Sequence, residues 1–424
     1  MSEHAYQLDH DAPQQMGAEG EFVAPIPRIS IQAFCVSEVT ARTLQSVADD
    51  RRLARAHVTV QMGGIDAAIE FYETAPTPNL ILLEVAHGPE AIMADLARLA
   101  QVCDAGTKVI VIGQVNDVML YRELVKQGVS EYLVAPISIL QTIQSIGGLY
   151  ADADTNPLGR VVAFVGAKGG VGSSTIAHNC GWVISKTFGS DVIIADMDLP
   201  FGTAALDFNQ DPTQGLAEAV YSPDRLDDVL LDRLLTKCDE NLSLFAAPAT
   251  LDRDYDLDPD SYSNVLDLLR KSVPIVVLDM PHMWSGWLKK ALLSADDVVI
   301  VAEPDLANMR NVKGLVELIK QNRPNDRPPF LVLNKVGVAK RPEIAPADFG
   351  DAVDIAPTAV IGFDPQSFGT AANNGQMLPE MAANAKPNEA FLEISKLVTG
   401  RSEVRREKRS VLTPFLGKLK RSKN

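Results

Sequence analysis

The sequence predicts an α/β protein of two doubly wound parallel sheets in tandem, an N-terminal flavodoxin-like domain and a larger C-terminal one. Three observations lead there. Between about Arg28 and Tyr150, short apolar strands alternate with helical patterns five times. The stretch 151–159 is short and polar and carries Pro157 and Gly159, the composition of a domain boundary. From Arg160 a second alternation begins, and its first strand runs straight into a glycine-rich loop. Repeated strand–helix alternation lays successive strands parallel, with helices covering both faces of the sheet.

Composition narrows the classes of function. A chain of 424 residues exceeds one ordinary domain, and 46% hydrophobic residues suffice to bury a sizeable core. A net charge of −16 argues against a general nucleic-acid binder, because binding to phosphate backbones draws on concentrated Lys and Arg. No run approaches the roughly 18 apolar residues of a membrane span, and the N-terminus is polar and acidic, so a cytoplasmic protein is expected. Cys35, Cys103, Cys180 and Cys238 show neither paired nor metal-type spacing and read as reduced, mostly buried thiols. The expected organisation is a disordered leader over 1–27, a first domain over 28–150, a linker over 151–159, a second domain over 160–400 and a basic tail over 401–424.

The first series reads as strands Ile29–Val36, His57–Met62, Leu80–Val85, Lys108–Ile112 and Tyr132–Val134. Helices fall between them, from about Val39, near Ile65–Glu73, near Glu90–Cys103, near Asp117–Gln127 and near Leu140–Leu149. The second series has strands Val161–Val165, Val192–Ala195, Leu242–Ala246, Ile275–Leu278, Val298–Ala302 and Phe330–Leu333, with a further one at Ala359–Ile361. Neither half contains an internal repeat.

The strand Val161–Val165 ends in Gly166-Ala167-Lys168-Gly169-Gly170-Val171-Gly172-Ser173-Ser174, and Thr175–Thr187 then reads as a helix. That is the strand, glycine loop, helix order of a P-loop, in which backbone N–H groups and a helix N-terminus face phosphates. The C-terminal domain is therefore expected to be a P-loop NTPase fold. Ser174 stands where the P-loop hydroxyl meets Mg²⁺, and Lys168 is positioned to reach a terminal phosphate. The usual pattern would put lysine at position 173, and Ser173 departs from it. Losing that charge should weaken nucleotide binding or hydrolysis unless Lys168 compensates.

Two acidic motifs follow. Strand Val192–Ala195 runs into Asp196-Met197-Asp198, carboxylates at a strand's C-terminal end, where open α/β sheets bind ligands. Asp198 could orient an attacking water and Asp196 could support Mg²⁺ through water, although both equally fit capping of the next turn. Strand Ile275–Leu278 ends in Asp279, a hydrophobic run plus aspartate that holds Mg²⁺ through water in Walker B elements. Trp284 and Trp287, in the loop and helix start beyond it, read as packing or interface residues. Asn334-Lys335 and Asp364-Pro365 end two later strands; the amide can pair with an adenine edge, and a proline loop can cover its face.

Through Lys168-Gly169-Gly170-Val171-Gly172, Asp196-Met197-Asp198 and Asp279, the chain from about Arg160 to Leu397 resembles the MinD/ParA family of deviant Walker A ATPases. The resemblance implies ATP and Mg²⁺ as cofactors and a homodimer around ATP, with Lys168 reaching across to the partner's nucleotide. One branch looks closer still, the CpaE/TadZ proteins, which join a degenerate receiver domain to such an ATPase. Residues 166–179 (GAKGGVGSSTIAHN) and 196–212 (DMDLPFGTAALDFNQDP) resemble that branch, including the serine at 173. The resemblance implies localisation and assembly of Tad/Flp pili or related secretion machinery, at the inner membrane or cell pole. In the N-terminal half, Leu80–Glu84 resembles the third receiver strand with Glu84 at the phosphorylated aspartate's position. Gly128–Pro136 resembles a GxxxYLxKP segment with Ala135 in place of lysine. Standard phosphoryl chemistry is not expected; Glu84 is either a mimic of a permanently charged state or a relic used for docking.

The tail 401–424 carries nine Lys or Arg against two Glu. Thr413-Pro414 can open a short helix with Phe415, Leu416 and Leu419 on one side, a segment suited to anionic lipid or to remaining a solvated tail. The expected function is a weakly hydrolysing, dimerising ATPase. The rivals are a nucleotide-binding scaffold with little or no hydrolysis, a ParA-like DNA-partitioning protein, and a phosphorylation-gated output.

Overall fold

The computed structural model describes residues 25–400, apart from residues 105, 151–157, 213, 249, 252–254 and 256. The predicted leader up to residue 24, most of the predicted linker and the basic tail therefore lie outside the described residues. The chain divides into two compact units, one taking the residues through Leu158 together with Glu317–Pro328, the other Gly159–Val316 and the residues from Pro329 onward.

The first unit runs β1 (Ser30–Cys35), α1 (Glu38–Ala48), β2 (His57–Met62), α2 (Gly64–Tyr72), β3 (Leu80–Glu84), α3 (Pro89–Ala100), β4 (Lys108–Gly113), α4 (Val118–Lys126), β5 (Glu131–Val134) and α5 (Ile139–Tyr150). Its strands are all parallel in the order β2-β1-β3-β4-β5, the flavodoxin-like order. Leu80, Leu82, Ile110 and Ile112 point into one apolar layer, and Ile81, Leu83 and Val111 into the other. This two-face burial is why the central strands read as continuous apolar runs. Ile26, at 1% exposure, belongs to the first layer and its N–H donates to Arg52 O (2.7 Å). The predicted leader thus extends too far: Pro25–Pro27 are part of the fold.

The second unit opens with β6 (Arg160–Gly166), α6 (Ser173–Phe188), β7 (Val192–Asp196), α7 (Ala204–Asp207), α8 (Leu216–Tyr221), α9 (Asp228–Leu234), β8 (Thr236–Asp239) and β9 (Leu242–Phe245). It continues with α10 (Ser263–Ser272), β10 (Ile275–Met280), α11 (Gly286–Ser294), β11 (Asp297–Ala302), α12 (Leu306–Asn322), β12 (Phe330–Val336), α13 (Pro346–Val353) and β13 (Pro357–Gly362). Helices α14 (Pro365–Asn374), α15 (Leu378–Met381) and α16 (Pro387–Thr399) close it. The sheet order is β13-β12-β11-β6-β10-β7-β9-β8, parallel except that β8 pairs antiparallel with β9. The expected purely parallel sheet is corrected at that edge.

Two features of packing position the loops. The fully buried β10 and β11 flank β6, so the C-terminal ends of β6, β7, β10, β11 and β12 open on the same edge of the sheet. Helix α6 lies close against this sheet: a Cβ on Gly181 would come within 2.6 Å of Ile194 Cδ1, so glycine permits the approach. Phe391, Ile394 and Val398 of α16 join Ile176, Cys180 and Ile184 of α6 in the same core, each large side chain contributing roughly 1.5–3 kcal/mol of burial. All four cysteines are free thiols; Cys35 and Cys180 are buried, and Cys103 and Cys238 partly so.

Candidate nucleotide site

The loop between β6 and α6 is fastened from outside through its carbonyls. Ala167 N–H donates to Val301 O (2.8 Å), while Ala167 O accepts from Asn311 Nδ2 (2.8 Å). His282 Nδ1 lies 3.2 Å from Gly166 O, Asn334 Nδ2 donates to Val171 O at 2.8 Å, and the Lys335 ammonium donates to Gly170 O. Helix α6 then starts at Ser173 behind Gly172, which has φ +91° and offers no side-chain cap. The first N–H groups of any helix lack intrahelical partners, so the N-terminus of α6, with Ser173 and Ser174 in its first turn, is an open, electropositive anion site. Gly172 is required twice over, since a Cβ there would stand 2.6 Å from Asn334 Nδ2.

Lys168 is half-exposed, and its Nζ lies 3.9 Å from Asp305 Oδ2, so its ammonium has no tight partner here. Burial pushes the Asp305 carboxyl up, but bonds from Asn308 and the charge of Lys168 leave it below the usual range.

The carboxylates cluster at the ends of β7 and β10. Asp196 is buried and accepts from Asp198 N (3.2 Å) and Ala204 N (3.1 Å); Asp198 accepts from Phe201 N (3.2 Å). Both residues thus make the turn-capping bonds that were the alternative reading. Burial, then the charge of Asp279, raises the Asp196 carboxyl, and burial raises that of Asp198. Asp279 is 3% exposed, and its Oδ1 has no hydrogen-bond partner. Its Oδ2 lies 3.1 Å from His178 Nε2, a charge contact that leaves Nε2 without a hydrogen-bond partner as well. His178 Nδ1 pairs with Asp207 Oδ2 at 2.8 Å. Burial would lower the imidazole, but Asp207 and Asp279 overcome it and push the group up to about 10.

Beside the loop is a cleft of about 230 Å³ whose lining includes Gly172, Thr175, Asn334, Lys335, Phe363, Asp364, Pro365 and Phe368. Five of these, Gly172, Asn334, Lys335, Asp364 and Pro365, are residues that the sequence singled out, and the structure brings them together. Their polar groups are partly engaged: Asn334 Oδ1 accepts from Lys335 N (2.9 Å), and Asp364 caps α14 by accepting from Ser367 N (3.0 Å). Trp287 is buried against Tyr262, with ring centroids 4.6 Å apart, whereas Trp284 is exposed.

Sequence reasoning missed His178, Asn311 and an ion network in which Lys335 and Arg341 hold Glu303 at 3.0 and 2.6 Å. The available signals were a histidine inside an otherwise apolar helix face and a third acidic strand end, Glu303-Pro304-Asp305. In the first unit, Glu84 accepts from Val36 N (2.7 Å), Ser37 N (2.8 Å), Ser37 Oγ (2.7 Å) and Thr40 Oγ1 (2.8 Å). Its carboxylate is fully used in fastening the β1–α1 turn.

The sequence family described as AAA domain matches residues 159–330. The pilus assembly protein CpaE from Caulobacter crescentus CB15 is 50% identical over 30% of this chain and 98% of that chain, with a TM-score of 0.30. The septum site-determining protein MinD of Synechocystis sp. is 24% identical over 57% of this chain and 90% of its own length. MinD from Pyrococcus horikoshii OT3, solved with Mg-ADP, is 21% identical over 57% of this chain and 96% of that chain, with a TM-score of 0.51, a likeness of fold.

Proposed function

We propose that the chain is a CpaE-type pilus assembly protein of the MinD/ParA ATPase family, that it binds ATP with Mg²⁺ and dimerises around it, and that it so positions pilus or related secretion machinery. The observation that carries this reading is the loop 166–173, whose carbonyls are tied outward while the uncapped N-terminus of α6 opens beside a cleft. The buried, unpaired Oδ1 of Asp279 fits a site meant to be completed by a hydrated cation, since such atoms are costly when left alone.

When bound, Mg²⁺ supplies positive charge that neutralises the phosphate oxygens. The remaining work falls to the chain. The amides of Gly166, Gly169, Gly170, Val171, Gly172 and Ser173, with the Ser174 hydroxyl, would cradle the phosphates and the ion, with Asp196 and Asp279 toward its water shell, while the Ala167 amide, held by Val301 O, fixes the start of the loop. Asn334, Lys335, Asp364 and Pro365 frame the base in the adjoining cleft. Lys168, without a tight partner in the single chain, reaches the nucleotide of a second copy, and Asp198 orients the attacking water.

A scaffold with little turnover is the second reading. It is favoured by Ser173 in place of lysine and by the bond that occupies Asp198 on Phe201 N. ATP affinity and hydrolysis rate, measured on wild type, Lys168→Ala and Asp198→Ala, separate the two. Hydrolysis lost in Asp198→Ala with affinity kept supports a switching ATPase; tight binding without turnover in all three makes the protein a scaffold. Absence of ATP binding by the wild type refutes both.

A further inference from the structure

We propose that His178 is a positioning residue of the nucleotide site, holding the Asp279 carboxylate and tying it to Asp207 on α7. The inference rests on the nucleotide-binding reading above. His178 is 0% exposed on the helix that follows the phosphate loop, and its two ring nitrogens face two carboxylates, Asp207 Oδ2 at 2.8 Å and Asp279 Oδ2 at 3.1 Å. A buried imidazole between a buried carboxylate, Asp279, and a partly exposed one, Asp207, is not packing filler, because an unpaired buried charge is strongly unfavourable. The arrangement sets one oxygen of Asp279 against the imidazole at 3.1 Å and leaves Oδ1 without a hydrogen-bond partner.

Asp207 supplies the other end of the link. It lies on the short helix that closes the segment begun by Asp196 and Asp198, whose turn is itself bonded to the Asp196 carboxylate through Ala204 N. Its side chain reaches a second, polar cleft of about 310 Å³, and is 21% exposed. His178 therefore connects the end of β10 to α7, whose first residue is itself bonded to Asp196 at the end of β7. Groups that orient a cation's carboxylate from behind change its affinity roughly 10–100-fold when removed.

The test is the ratio of ATP affinity with Mg²⁺ to affinity in EDTA, read by titration of the full chain. His178→Gln tests the centre of the link, and Asp207→Asn, at a partly exposed position, tests its outer end without emptying the core. Both variants are checked for folding by circular dichroism. The expected result is that the Mg²⁺-dependent gain falls about tenfold or more in each, while affinity in EDTA stays within about twofold of wild type. Equal losses with and without Mg²⁺ would reduce His178 to a packing role, and an unchanged ratio in folded variants would overturn the inference outright. Failure of the wild type to bind ATP under either condition would instead remove the nucleotide-binding reading, and this inference with it.

Discussion

Single residues carry the sharpest consequences. Glu84 sits where a receiver would be phosphorylated, yet both its oxygens are occupied by four donors from the β1–α1 turn. Burial raises its carboxyl, but the bonds from Ser37, Thr40 and Val36 win, and the net shift is downward. A lowered folded value means the stabilisation is present above the unfolded value of about 4.3 and is lost as pH falls toward the folded one. Glu84→Gln is expected to cost about 1.5–3 kcal/mol at pH 7 and less at pH 3, measured by urea unfolding at both. An equal cost at the two pH values would mean that the charge contributes nothing. At the phosphate loop, Ser173→Lys restores the missing ammonium and is expected to tighten ATP binding about tenfold, read by calorimetry, since hydrogen bonds to charged groups are worth about 1.5–3 kcal/mol. The identities of the loop residues and of Asp196, Asp198 and Asp279 were legible because each ends an apolar run. His178 was not, because nothing in Ala177-His178-Asn179 states that two distant carboxylates meet that ring.

At the level of elements, the helices of the first sheet, the helix after the glycine loop and every strand but one followed from apolar runs and periodicity, with shifts of a few residues at their ends. Strand β8 was missed for a physical reason: Thr236-Lys237-Cys238-Asp239 is a short, partly buried edge with no apolar run, defined only by its partner β9. The start of the second sheet is held by Arg270 of α10, which donates to Gly159 O (3.2 Å), Asp296 Oδ2 (2.6 Å) and Ser294 O (3.0 Å). Asp296 in turn accepts from Val161 N at 2.8 Å. Removing one partner leaves a buried charge, so Arg270→Ala is expected to cost about 3–5 kcal/mol in chemical denaturation; under about 1 kcal/mol would contradict that account. Gly172→Ala forces a left-handed residue and a clash with Asn334. A cost of about 1–2 kcal/mol, with weakened ATP binding, is expected from thermal melts and titration on the same sample.

At the scale of the whole molecule, each unit keeps its own core, and the residues of the candidate nucleotide site all belong to the second. The acidic balance of the chain leaves the basic residues 401–424 as its one strongly positive segment, outside the described residues. If that segment contacts anionic lipid, the full chain pellets with acidic liposomes and a 1–400 protein does not; equal pelleting ends the membrane role. The central claim concerns Lys168, whose ammonium has only a loose contact 3.9 Å from Asp305 and is free to act on a second copy. The most direct measurement is solution mass by light scattering, with and without saturating Mg-ATP, for wild type and Lys168→Ala. The account predicts that ATP takes the wild type from 45.8 kDa to twice that mass and leaves Lys168→Ala at the single-chain value. A wild type that binds ATP yet keeps one mass, or a variant that dimerises just as well, would contradict it.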